Sequence, residues 1–570
     1  MRRISLDGGA PALALIVLVL AYQVLVPLSM VVWTSLKVQR PGEPGFFELS
    51  FSLANYARAF GSRDFWSATW NTARFALAST ALAFAFGTFL AWVVHRTNTP
   101  LARLIGLITL GRIVIPGILI TVAWILLASP NIGLLNALAA PLTGGRGIFN
   151  VYSFSGMVWV HSLEMTPLAY LLLSAALQSM DPRLEEASAA AGAGHWRTLR
   201  TISLPLILPA VGAAVLLLLI YTVETFEVPL LLGGRARVRV YTTEIFYNTS
   251  RTPTDWGLSG AYSVAILALS SLLLAGYLRL VRHGERYQTV TGKDFRPRRL
   301  DLGRLRYLTC ALSVFLVFLV TGLPFLVMLY ASFLARYQPP SLQALRSMDL
   351  RNYREILSDA AYSVDPLWNS TLVGLGSATA VMLLVSAMSY FVHKTRMRGR
   401  KLIDFLGFAP IAMPSVVLGA AFLWFYLLVP LPVLGTLTII GLAYVTRYMA
   451  VALRFVSASM VQIHTELEEA AAVAGGGWWS TFRRIYLPLL RPGLMAGWFW
   501  VMVHAYRELT IALMLARSRN RTAAVVIYDL WENGSFQELS AFGVLIFLLL
   551  IALVSTGQAI GRRFGVQERP

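Results

Sequence analysis

Charge is what this chain has least of: Asp, Glu, Lys and Arg together make up only 13% of its 570 residues. A water-soluble domain takes roughly twice that share, so the composition excludes an ordinary soluble fold. Lysine is almost absent, with Lys37, Lys293, Lys394 and Lys401 alone. A phosphate-cradling loop needs Gly-Lys followed by Ser or Thr. Only Lys293 follows a glycine, and Asp294 comes next. The chain therefore lacks that ATPase motif, and ATP hydrolysis would have to be supplied by another subunit. Cysteine occurs once, as Cys310 within an apolar run, which excludes an intrachain disulfide and a Cys-rich metal site. The loops carry no His-Glu metal motif and no paired nucleophile and base, so no catalytic residue, metal ligand or cofactor is expected on the chain. The ten-residue alternating segments of a membrane β-barrel are missing too.

Long apolar runs are present instead. The mean hydropathy is +0.64 and 57% of the residues are hydrophobic. Runs of about 20 apolar residues, enough to cross a bilayer as helices, are placed at 11–36, 70–95, 104–128, 153–179, 206–232 and 258–281. A second set falls at 308–334, 368–393, 403–429, 435–461, 489–516 and 541–561. The expected fold is an all-α integral membrane protein of about twelve spans. The first run is longer than a secretory signal core and lacks a small-residue cleavage site, so it reads as a retained span.

The net charge of +20 falls mainly between runs, which fits an anionic inner leaflet and not nucleic acid. Arg286, Lys293, Arg296, Arg298, Arg299, Arg304 and Arg306 fill the centre of the chain. Lys394, Arg396, Arg398, Arg400 and Lys401 follow the eighth run. By the positive-inside rule these segments and both termini are cytoplasmic. The bias is not clean, because outer segments also carry Arg235, Arg237 and Arg239.

The chain repeats itself. "VPLSMVVWTSL" from Val26 matches "LPFLVMLYASF" from Leu323, "NYARAF" at Asn55 matches "NYREIL" at Asn352, and Pro116 falls where Pro414 falls. The offset is about 298 to this point and then 283, because the first half has a longer loop around 131–151. Two six-span halves share one orientation and are related by an axis along the membrane normal. The expected divisions are a first repeat at 1–282, a basic linker at 283–307 and a second repeat at 308–570.

The strongest match is a loop. "LEEASAAAGAGHWRTLRTISLPLILP" from Leu184 pairs with "LEEAAAVAGGGWWSTFRRIYLPLLRP" from Leu467. Asp181 with Pro182, and Thr465 with Glu468, form helix starts. Glu185, Glu186, Glu468 and Glu469 lie in first turns, where the helix dipole favours acids. Alanines propagate the helix, and Gly192 or Gly475 ends it. The loops at about 181–209 and 464–492 thus each hold a short rigid helix tied by glycine to a re-entering span.

These loops resemble the EAA loop of the permease subunits of binding-protein-dependent type I ABC importers. The resemblance covers nearly the whole chain as a fused, two-repeat permease. It implies that Glu185, Glu186, Ala187 and Gly192, with Glu468, Glu469, Ala470 and Gly475, couple to two ABC ATPase subunits, which bind ATP and magnesium. Ser188 and Gly476 depart from the usual alanines. The resemblance also implies a soluble substrate-binding protein on the outer side and a place in the bacterial inner membrane. The fused layout and the 287–307 linker resemble ferric-iron permeases most. Phosphonate, thiamine and polyamine permeases share the layout, and an ion-coupled secondary transporter is the alternative of another class.

Ionisable residues inside spans are functional candidates. Glu164 and Glu224 lie in the first half, and the 283-residue offset carries them to Arg447 and Arg507. One expectation is therefore that Glu164 faces Arg447, and Glu224 faces Arg507, across the boundary between halves. The other is that each is satisfied locally. Glu227, Glu508 and His161 are further candidates for the path, or core residues. His95 and His393 fit interfacial positions.

Overall fold

The computed structural model describes residues 9–39, 43, 45–178, 182–284, 299–395, 399–429, 431–464, 466–476 and 478–563. The principal helices fall into two matched sets of nine. The first set is α1 (Leu13–Ser35), α2 (Arg63–Arg96), α3 (Ala102–Val114), α4 (Gly117–Ala128), α5 (Phe154–Gln178), α6 (Pro182–Ala190), α7 (Arg200–Val223), α8 (Tyr241–Ser250) and α9 (Trp256–Val281). The second is α10 (Leu305–Ser332), α11 (Val364–Lys394), α12 (Arg400–Ala412), α13 (Ser415–Leu428), α14 (Leu437–Val461), α15 (Glu466–Val473), α16 (Leu487–Arg507), α17 (Ala523–Glu532) and α18 (Phe536–Gly561). The fold is all-α: the described residues contain no strand beyond an isolated bridge between Thr97 and Leu300.

Among the described residues nine helices are long and apolar enough to cross a membrane, and up to eleven spans result if each bent pair is one span. By position α16 completes the second half, as the repeat partner of α7. Its 21 residues include Arg491, His504 and Arg507, which lower its hydropathy.

Two spans expected to be continuous are broken. The runs at 104–128 and 403–429 fold as α3 with α4 and α12 with α13, bent by 105° and 107°. Pro116 and Pro414 sit at the bends. A proline lacks the N–H a helix needs and forces the residue before it into extended backbone. Ile115 and Met413 accordingly have ψ of 130° and 109°. All twelve residues of α4 are buried, as befits a helix apolar on every side. The runs at 206–232 and 489–516 also stop early, at Glu224 and Glu508, before shorter helical pieces resume.

The halves exchange elements. Helix α1 packs on α13 and α10 packs on α4; α8 packs on α13 and α17 on α4. Each bent core helix is therefore clasped by the opposite half. Repeated side-chain staples fix the loops far from α6 and α15. Asn55 Nδ2 donates to Ser35 O (3.1 Å) and Lys37 O (2.7 Å); Asn352 Nδ2 donates to Ser332 O and Leu334 O (both 2.9 Å). Asn71 and Asn369 likewise hold Arg239 O and Arg521 O, at 2.9 and 3.0 Å. The Asn55 and Asn352 bonds satisfy carbonyls freed where α1 and α10 end, and those of Asn71 and Asn369 hold the chain just ahead of α8 and α17. Leu15, Leu18, Leu107, Phe315 and Leu383 remain exposed on the outer surface of the bundle, where lipid tails replace water.

Candidate functional site

Helices α6 and α15 occupy matching places at the same end of the bundle. Around Gly192 the bonds Ala191 N–Ala187 O and Ala193 N–Ser188 O (both 3.0 Å) close the helix. Around Gly475 the bonds are Ala474 N–Ala470 O (3.0 Å) and Gly476 N–Ala471 O (2.8 Å). This is the C-terminal motif that needs a left-handed residue. Gly192 has φ +80° and Gly475 φ +75°. A Cβ at either would meet nothing within 4 Å, so it is the backbone angle, and not crowding, that requires glycine.

Glu186, Ala187, Glu469 and Ala470 are exposed, while Glu468 is half-buried. Tyr486 donates to Glu468, and Lys394 Nζ lies 3.4 Å from the same carboxylate while donating to Ile463 O at 2.6 Å. Helix α15 is thus braced from α11 and from the start of the next span. Ser188 is buried and shares a 2.8 Å hydrogen bond with Thr198, which ties α6 to the segment after it. The capping residues Asp181 and Thr465, the side chain of Glu185 and the linker residues 285–298 lie outside the described residues.

The intramembrane charges form a seam between the halves, with a pairing different from the repeat-equivalent one. Glu224 accepts from Arg447 Nη2 (2.8 Å) and Nη1 (3.2 Å). Glu224 and Arg447 are 8% and 15% exposed. Glu224 ends α7, where the helix dipole disfavours a carboxylate; Arg447 offsets both that and the burial. Arg447 Nη1 also donates to Met413 O (3.1 Å), the carbonyl ahead of Pro414.

The other arm lies around the first bend. Arg507 and Arg112 are within electrostatic reach of Glu164 and Glu227, and Glu164 is 3.5 Å from His161 Nδ1. Arg112 Nη1 donates to Ile115 O (3.0 Å), the carbonyl ahead of Pro116. Both bends therefore have a guanidinium on the carbonyl before the proline, supplied from different positions. Gly117 starts α4 between two carboxylates, and a Cβ there would collide with both Glu164 and Glu227. On the second-half side Glu508 accepts from Ile511 N (3.2 Å) and Tyr448 Oη (3.3 Å).

So Glu164 does not face Arg447, and Glu224 does not face Arg507: the links are crossed. A two-fold axis turns a contact between positions i and j′ into one between i′ and j. Glu224 with Arg447 therefore implies Arg507 beside Glu164. Only a residue on the axis meets its own equivalent. Arg112 is a further member of this cluster, beyond Glu164, Glu224, Arg447 and Arg507. Its signal was an arginine four residues before Pro116 in an apolar run.

Two like-oriented helical halves, each with an exposed loop helix closed by a left-handed glycine, define a tandem-repeat membrane permease. The chain belongs to the family of binding-protein-dependent transport system inner membrane components, which matches residues 83–286 and 385–563. It is a multi-pass inner-membrane permease of a binding-protein-dependent importer, a class that works with ATPase and binding-protein partners and is not itself an enzyme. A ferric transport system permease protein of Actinobacillus pleuropneumoniae is 25% identical over 84% of this chain and 68% of its own length. A probable ABC transporter permease protein of Sinorhizobium fredii is 25% identical over 93% and 92%. A bacterial ABC transporter importing the acidic polysaccharide alginate superposes with a TM-score of 0.37 at 18% identity, over 46% of this chain and 89% of its own.

Proposed function

We propose that this chain forms the entire transmembrane path of an ATP-driven importer of ferric iron. Two ATPase subunits dock against α6 and α15 on the cytoplasmic side, the side of both termini. A soluble binding protein delivers iron at the opposite face. The repeats are 1–282 and 308–570, joined by the basic linker 283–307. The observation that carries the coupling assignment is the duplication: the same exposed helix, with the same left-handed glycine, stands before the same span in each half. The relative named as a ferric transport permease supports the cargo.

Glu186, Ala187, Glu469 and Ala470 face the ATPases, with Glu185 in the same turn. Glu468 braces its helix, and Gly192 and Gly475 hold the turns. ATP and magnesium stay on the partner subunits. Movement of the loops is passed through α7 and α16, whose far ends carry Glu224 and Arg507 at the charged seam. Rocking of the halves then makes and breaks the crossed links.

Co-expression with the neighbouring ATPase, followed by ATPase measurement of wild type and of a Gly192→Val/Gly475→Val double variant, tests this. The expected result is a stable assembly whose hydrolysis falls or uncouples in the variant. Failure of any ATPase to associate would overturn the assignment of α6 and α15 as the coupling helices.

A further inference from the structure

Positive charge collects where the positive-inside rule disfavours it. On that side the pattern Arg-x-Arg-x-Arg occurs once in each half, at Arg235, Arg237 and Arg239 and at Arg517, Arg519 and Arg521, with an offset of 282; its third copy, Arg396, Arg398 and Arg400, lies in the basic segment after the eighth run. Each triplet follows the broken end of α7 or α16, away from α6 and α15. Neither belongs to the coupling loops or the charged seam.

The third arginine of each triplet is anchored. Arg239 lies 3.4 Å from Glu244 and over the Tyr247 ring; Arg521 lies 3.2 Å from Asp529 and over the Tyr362 ring. The first is tied locally, Arg235 to Tyr152 Oη (2.9 Å) and Arg517 to Ala516 O (2.8 Å). The middle ones, Arg237 and Arg519, are exposed and have no ion pair among the described residues. Arg237 has φ +54°, uncommon for a residue with a side chain. Val238 N–Gly233 O (2.9 Å) helps hold that turn. The backbone is fixed while the charge is left free.

The triplets flank the boundary between halves and not the lipid rim. Helices α8 and α17, which supply the anchoring acids, pack on the core helices of the opposite halves. Tyr247 of α8 and Tyr528 of α17 lie within electrostatic reach of each other.

We propose that the two triplets are the docking contacts for an acidic surface of the soluble binding protein. Arg237 and Arg519 each take a carboxylate of that protein, and the flanking arginines hold the loops that present them. This rests on the importer reading above. A guanidinium matches a carboxylate in two-point geometry. Paired charges at an interface rim govern encounter and its salt dependence. With Arg239 and Arg521 offset by Glu244 and Asp529, the remaining guanidinium groups leave the face positive and repel a free metal cation. Cargo then enters only from beneath a docked acidic partner.

The test uses the full chain with its ATPase in nanodiscs of zwitterionic lipid. Binding of the fluorescently labelled, iron-loaded binding protein is titrated at several salt concentrations. In Arg237→Gln/Arg519→Gln, Kd is expected to rise about tenfold, with a shallower salt dependence. Arg237→Glu/Arg519→Glu should weaken binding further, and a binding protein with its facing acids changed to lysine should restore part of it. ATP hydrolysis without binding protein should match wild type in both variants. A Kd unchanged in both, with wild-type binding intact, overturns the docking assignment alone. So does an unchanged Kd if, in a parallel set of detergent-solubilised samples titrated with anionic lipid, the same variants lose lipid binding, which would assign the arginines to headgroups. A wild-type complex that captures no binding protein overturns both the assignment and the importer reading beneath it.

Discussion

Removing the Arg447 guanidinium strands the Glu224 carboxylate, 8% exposed, at the C-terminus of α7. Loss of one partner from a buried pair costs about 3–5 kcal/mol, whereas replacing both by apolar residues is often near neutral. A double-mutant cycle on Glu224→Leu and Arg447→Met should therefore give a coupling energy of at least about 3 kcal/mol. The assay is reversible denaturant unfolding in mixed micelles, with assembly checked by size-exclusion chromatography. The control cycle pairs Glu164→Leu with Arg447→Met. Because Arg447 is engaged by Glu224 and Glu508, and Glu164 by Arg112 and Arg507, that coupling should stay within about 0.5 kcal/mol. Strong coupling in the control and none in the Glu224 cycle would refute the crossed arrangement and restore the repeat-equivalent pairs.

Gly117→Ala should abolish most transport while the protein still assembles, because its Cβ meets the Glu164 and Glu227 carboxylates; uptake by reconstituted vesicles reads this. Gly192→Ala and Gly475→Ala meet no atom, so each should cost only about 1 kcal/mol of loop stability from the left-handed backbone, and asparagine should retain more coupled ATPase activity than valine at both sites. Asn352→Leu removes the donor to two carbonyls and should cost about 2 kcal/mol, seen as a lower melting temperature. Lys394→Met combined with Tyr486→Phe removes both braces on Glu468; it should raise uncoupled ATP hydrolysis more than any comparable change near α6.

The duplication made much of the fold legible, since each half checks the other: the loop helices, their terminal glycines and Pro116 with Pro414 all appear twice. The bends at those prolines were less legible. Hydropathy runs straight through them, and membrane helices often tolerate a proline when neighbours satisfy the freed groups. Here Arg112 and Arg447 bind the carbonyls before the prolines, and those partners come from unrelated positions in the sequence. The charges Glu164, Glu224, Arg447 and Arg507 could be picked out as costly in lipid, but which faced which could not. Partnership depends on distance from the axis, and a linear offset carries no such information. Arg237 was visible only as an exception to the charge bias, and Arg519 was not singled out at all. Their lack of partners emerged once Glu244, Asp529 and Tyr152 were placed beside their neighbours.

Site-directed cross-linking asks whether α6 and α15 each touch one ATPase subunit. With Cys310 replaced by serine, a single cysteine would be placed at Glu186 or at Glu469, and the assembled complex treated with a short bifunctional reagent. Both exposed positions should cross-link to the ATPase, and a protein carrying both cysteines should capture two subunits. An ATPase that co-purifies yet cross-links at neither position would mean that it docks elsewhere than on α6 and α15.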